Sequence, residues 1–103
     1  MTGFRAAGAL CVVLLSYVRP LEEVDAQMAA HVAWLDEGFA QGVFLVAGRR
    51  TPRSGGVIVM RGEREAVERV VATDPFVTSG VATAEVVPFS ASFAATELHG
   101  WLA

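Results

Sequence analysis

At 103 residues the chain is the size of one domain, with no room for a second hydrophobic core. Its residues are 53% hydrophobic and 18% charged, which excludes intrinsic disorder, and a net charge of -3 argues against a partner with a phosphate backbone. All eight basic residues are arginine, so no lysine is present to form a Schiff base, and Cys11 stands alone, which removes an intrachain disulfide, a multi-cysteine zinc site and a Cys-x-x-Cys redox pair.

Met1 to Ala7 read as an N-terminal extension. From Gly8 to Val18 the chain is almost continuously apolar, but it is well short of the roughly 20 residues of a membrane span. Arg5 ahead of this run imitates a secretory signal, yet no small-x-small cleavage site follows Val18, where the chain turns to Arg19-Pro20. The β-branched Val12, Val13 and Val18, with Tyr17, predict a buried strand. Cys11 lies inside this run with no nearby positive charge, which makes it a core residue and favours a reducing, cytoplasmic location.

Pro20 to Gly42 reads as one long helix. Pro20 suits its first turn, Glu22, Glu23 and Asp25 complement the positive end of the helix dipole, and Gly42 suits a left-handed cap. Leu21, Val24, Met28, Val32, Leu35 and Phe39 recur at steps of three and four, a single stripe expected to lie on a sheet. Val43 to Arg49 and Gly56 to Met60 read as strands of a hairpin, joined by Arg50-Thr51-Pro52-Arg53-Ser54-Gly55. A shorter helix over Glu63 to Ala72 turns Ala66, Val67, Val70 and Val71 inward, and Val81 to Phe89 is the last strand, followed by a tail over 90–103.

The order β-α-β-β-α-β is that of a ferredoxin-like α+β domain, an antiparallel sheet with two helices on one face. A strand with one wet face should alternate apolar and polar residues, yet Leu10 to Leu15, Val43 to Ala47 and Val57 to Met60 are apolar throughout. The bare face is therefore expected to be covered by a second copy, sheet against sheet, with Trp101 and Leu102 as a clasp.

His31 lies about 60° from the centre of the apolar stripe, on the flank that also carries Gly38. Two readings are open for it: a half-buried histidine bonded to a carbonyl, or a general acid or base titrating near neutral pH. Asp74 before Pro75 is a helix N-cap signature, and a carboxylate fixed by a cap is well placed to orient an imidazole. Arg49, Arg50 and Arg53 cluster on the hairpin, where they are solvated or bind an acidic group: an acidic substrate, or the acid-rich helix start of a partner copy. Gly55-Gly56 is too short to cradle a phosphate, and His99 reads as a tail residue. With two histidines and no carboxylates at ligand spacing, no metal site is expected.

Taken together, His31-Val32-Ala33-Trp34-Leu35, Gly42-Val43-Phe44-Leu45-Val46-Ala47-Gly48, Gly55-Gly56, Asp74-Pro75-Phe76, Gly80-Val81 and Val87-Pro88-Phe89 resemble the YCII-related (YciI-like) family of small bacterial proteins. The resemblance implies a ferredoxin-like fold in a dimeric α/β-barrel arrangement and a histidine-aspartate dyad carried by His31 and Asp74. The chain departs from the family pattern at Arg49, where a proline is common after Ala47-Gly48, and ahead of His31, where Ala29-Ala30 precede it without the arginine often found a few residues earlier. Two functions stand side by side. One is a cofactor-independent lyase or isomerase, in which Asp74 orients His31 and Arg49 or Arg53 binds a small organic substrate. The other is a non-catalytic dimer that binds a metabolite or acts as an interaction module.

Overall fold

The computed structural model describes residues 3–4 and 8–102; the rest of the expected N-terminal extension and Ala103 lie outside the described residues. In chain order the elements are β1 (Gly3–Phe4), β2 (Ala9–Tyr17), α1 (Leu21–Ala26), α2 (Met28–Ala40), β3 (Phe44–Arg49), β4 (Gly55–Arg61), α3 (Arg64–Val71), α4 (Pro75–Thr78), β5 (Ala82–Ser90), β6 (Ala94–Ala95), a 3₁₀ turn (Thr96–Leu98) and α5 (His99–Leu102). Strands β2 to β5 form an antiparallel sheet in the order β3-β4-β2-β5, and β1 pairs with β6 beside it. This is the ferredoxin-like α+β architecture that the alternation of elements predicts.

Strand β2 lies at the centre, with Val13 opposite Ile58 on one side and Val86 on the other. Successive side chains of a strand point to opposite faces, so Cys11, Val13 and Leu15 share one face and Leu10, Val12 and Leu14 the other. The first set meets Val24 of α1, Val67 and Val71 of α3 and Phe76 of α4 in a single core, all of them buried. Helices thus cover one face. Burial pushes the Cys11 thiol above its ordinary pKa, and it donates weakly to the Gly62 carbonyl, as befits a core residue.

On the other face, β2 places Val12 beside Val59 and Val87, and Leu14 beside Val57. The C-terminal segment roofs one end of it: Leu98, Trp101 and Leu102 enclose an apolar cleft of about 250 Å³ over Leu10, Leu45, Val46 and Val59. Leu10 is buried there, while Val87 and Phe89 remain exposed.

The expected helix over Pro20 to Gly42 is two helices, interrupted at Gln27, which adopts φ -100°, ψ 0°. Its far end is as expected. Gly42 has φ +74°, its N–H donates to Phe39 O, and Val43 N–H donates to Gly38 O, the paired bonds of a Schellman cap. A glycine is required there because a left-handed residue with a Cβ is strained.

The expected buried stripe is a second correction. Of its six members only Val24 is buried, whereas Val32 and Phe39 are 43% and 41% exposed. Helix α2 buries the neighbouring flank instead, through His31 and Gly38. A Cβ on Gly38 would fall 2.2 Å from the Phe44 ring, so this glycine lets α2 approach β3 where Phe44 packs. Met28 and Leu35 still pack against the edge of the core, half-buried, while Val32 and Phe39 stand clear of it, and a cavity lies beneath the stripe.

Candidate functional site

The cavity measures about 310 Å³. Met28, Val32, Leu35 and Phe39 form its helical wall, Ala47, Gly48, Arg49 and Gly56 belong to its strand wall, and Tyr17, His31 and Phe76 close one end. Its volume falls at the lower end of small-molecule sites, and its mostly apolar lining with few polar groups is typical of them. Two formally charged residues, Asp36 and Arg49, line it, and both are solvent-exposed.

His31 occupies the first turn of α2, with its backbone N–H bonded to Gln27 O at 3.0 Å. Its Nδ1 lies 2.7 Å from Asp74 Oδ1. An ionised carboxylate only accepts, so in this contact the hydrogen is donated by Nδ1. Both residues are buried, His31 at 7% exposure and Asp74 at 0%.

Asp74 owes its position to local chemistry. It is the N-cap of α4, with Pro75 in the first helical position, and its Oδ1 also accepts from Phe76 N–H at 3.0 Å. The same short segment supplies the ring beneath the imidazole. Phe76 stacks on His31 with centroids 3.8 Å apart and planes 6° from parallel. Carboxylate and ring hold the imidazole in its plane and across its face, and Trp34 lies on it at 5.8 Å. The other oxygen, Asp74 Oδ2, is buried without a hydrogen-bond partner among the described residues.

The expected arginine cluster divides. Arg49 faces the cavity and belongs to none of the ion pairs among the described residues. Arg50 donates to Ser16 Oγ. Arg53 lies off the cavity lining, paired with Asp25 and set over the Tyr17 ring at 6.0 Å. The hydrogen bond from Arg53 holds the Asp25 carboxyl below its ordinary pKa and raises that of Arg53 itself. An acid-rich helix start does meet the hairpin, but it belongs to the same chain. The side chain of His99 lies outside the described residues. Among the described residues no group of three or more His, Cys, Asp or Glu comes together to hold a metal. Among them, too, no helix is long and apolar enough to cross a membrane.

Sequence reasoning proposed the meeting of His31 with Asp74, but missed the aromatic setting of the imidazole. Phe76 and Trp34 stand in the quoted motifs, three or fewer positions from Asp74 and His31, and that adjacency was the available signal. It also missed a bond from Trp34 Nε1–H to Thr73 Oγ1 at 2.9 Å.

The model of the YCII-related domain matches residues 10–90, which take in all but the first residue of the four-stranded sheet and both halves of the site. The chain belongs to the YCII-related family. No curated protein matches this YCII-related chain. Among solved structures it is similar to 5-chloro-2-hydroxyhydroquinone dehydrochlorinase from Burkholderia phenoliruptrix AC1100, in complex with 2,5-dihydroxybenzoquinone. The TM-score is 0.64 and the identity 22%, over 78% of the YCII-related chain and 90% of the dehydrochlorinase. At that identity the likeness establishes the shared fold.

Proposed function

We propose that this YCII-related protein is a cofactor-independent acid–base enzyme of the lyase or isomerase type. The observation that carries the reading is the His31 Nδ1 to Asp74 Oδ1 contact of 2.7 Å, with His31 on the wall of a cavity large enough for a small ring. Asp74 fixes the tautomer and stabilises the imidazolium, so Nε2 is the base. It takes a proton from an acidic hydroxyl or from a carbon next to a carbonyl. The electron pair left behind then expels a leaving group, the lyase outcome, or is reprotonated by His31 at another atom, the isomerase outcome. Arg49 is the cation that stabilises the developing negative charge at the cavity mouth, and Arg53, engaged with Asp25, holds the hairpin beside it. That the structural neighbour is named as a dehydrochlorinase and holds a flat oxygenated ring supports the lyase form.

The working unit in this reading is a homodimer joined through the open sheet face. Support comes from Val12, Leu14, Val87 and Phe89, apolar residues on the face of the sheet opposite the helical core, of which Val87 and Phe89 are exposed. A molar mass of two chains by light scattering, reduced to one by Val87→Asp, is the expected result.

Catalysis is tested by chloride release from chlorinated hydroquinones and by binding of 2,5-dihydroxybenzoquinone. Asn keeps the N-cap of α4, so Asp74→Asn should stay folded and lose about 10²–10⁴-fold in turnover. His31→Gln should lose a similar factor. Turnover by both variants at the parent rate refutes the dyad, and tight binding of the quinone without any turnover by the parent protein favours the metabolite-binding alternative.

A further inference from the structure

The His31–Asp74 contact has a companion that faces away from the cavity. Trp34 follows His31 by three positions and so shares its side of α2, and Thr73 immediately precedes Asp74. Trp34 Nε1–H donates to Thr73 Oγ1 at 2.9 Å, and the Thr73 hydroxyl in turn donates to Val70 O at 2.6 Å. Two parallel side-chain bonds therefore join α2 to the Thr73-Asp74 dipeptide, one buried and one exposed. Neither Trp34 nor Thr73 lines the cavity of His31; both line the groove between α2 and α3 on the far side. Trp34 also lies against Phe44, 4.8 Å between centroids, so its indole is held from a third direction.

We infer that Trp34 and Thr73 are positioning residues: their hydrogen bond clamps α2 to the α3–α4 turn at the separation the His31–Asp74 bond needs, and the indole keeps water from reaching that bond from the groove. The physical reason is the geometry of a hinge. A single hydrogen bond between α2 and the turn leaves α2 free to roll about it. A second bond three residues along the helix removes that freedom and places the carbonyl-anchored Thr73 hydroxyl as a fixed stop. Asp74 is fully buried although Thr73 beside it is solvent-exposed, and the Trp34 ring, bonded to Thr73 and stacked on the imidazole, is the group placed next to both.

The inference rests on the acid–base reading for its functional meaning, but its test does not depend on a substrate. In protein labelled with ¹⁵N-histidine, the His31 Nδ1–H held by a carboxylate should give a downfield proton resonance protected from solvent exchange, assigned by its loss in His31→Gln. Thr73→Val keeps the shape of the side chain and removes the hydroxyl; Trp34→Phe keeps a ring and removes the N–H. Each should speed exchange of the His31 proton by about five- to tenfold, the equilibrium factor of one lost hydrogen bond, and Thr73→Ser should restore the parent rate. Parent-like exchange in both Thr73→Val and Trp34→Phe overturns the positioning role while leaving the dyad intact. A fold loss in one variant leaves the decision with the other. Absence of any protected resonance in the parent protein overturns the positioning role together with the dyad. Faster exchange in the two variants without loss of turnover leaves the clamp supported and counts against the acid–base reading alone.

Discussion

The two flanks of α2 differ in a way that composition does not suggest. One carries a histidine and a glycine and is buried; the other carries Met28, Val32, Leu35 and Phe39 and stands open over a cavity. Apolar residues lining an open space and a buried titratable residue are each unfavourable alone, and their pairing on one helix is what the proposed acid–base site would require. The dry flank is stabilised by specific partners: Asp74 and Phe76 for His31, and Phe44 packed into the space over Gly38. The open flank has no equivalent demands.

This contrast makes the consequences of substitution unequal. His31→Ala should be the most damaging, by about 3 kcal/mol, because it leaves the Asp74 carboxylate buried without its partner. Urea unfolding measures this, and a loss below about 1 kcal/mol would show that the flank is not held by the pair. Gly38→Ala should cost about 1–3 kcal/mol, since the new Cβ has to displace the Phe44 ring. Moving α2 off β3 would also enlarge the cavity, so binding of a small ring should weaken with stability. Val32→Ala on the open flank should cost under about 1 kcal/mol, its side chain being largely in contact with the cavity and solvent, and should register in ligand affinity instead. Equal losses for Gly38→Ala and Val32→Ala would dissolve the distinction between the flanks.

The smallest effect concerns pH. The Asp25 carboxyl is held below its ordinary pKa by the Arg53 hydrogen bond, so the folded state binds a proton there less readily than the unfolded chain. Its contribution to stability is present above the ordinary carboxylate pKa and is lost as pH falls through the lowered one. Asp25→Asn should therefore lower the Tm slightly at neutral pH and match the parent at strongly acid pH. A difference in Tm that stays constant from pH 7 to pH 2 would assign the effect to something other than this ion pair.

Much of the fold was legible because strands, caps and turns leave local marks: the apolar run at Ala9–Tyr17, Gly42 at a helix end, Pro75 after Asp74. The orientation of α2 was not. A helical wheel locates the apolar stripe, but a stripe facing a dry core and a stripe facing a cavity have the same periodicity. The break at Gln27 carries no glycine or proline to announce it. The division among Arg49, Arg50 and Arg53 was equally hidden, since three arginines on one hairpin differ only in what the fold sets opposite them, and Asp25 comes to Arg53 from twenty-eight positions away. His31 and Asp74 are forty-three positions apart, and pattern alone offered each a sufficient private explanation, as a border histidine and as a cap.

The imidazole is held by α2 and the Asp74-Pro75-Phe76 tripeptide, whereas Ala47, Gly48 and Arg49 of the opposite wall come from β3, a strand at the edge of the sheet. In the proposed function, the proton-handling pair and this strand wall of the cavity are thus on separate stretches of chain. On that reading, edge-strand substitutions can change which molecule fits without disturbing how the histidine is held, so selectivity can drift while the proposed chemistry stays in place.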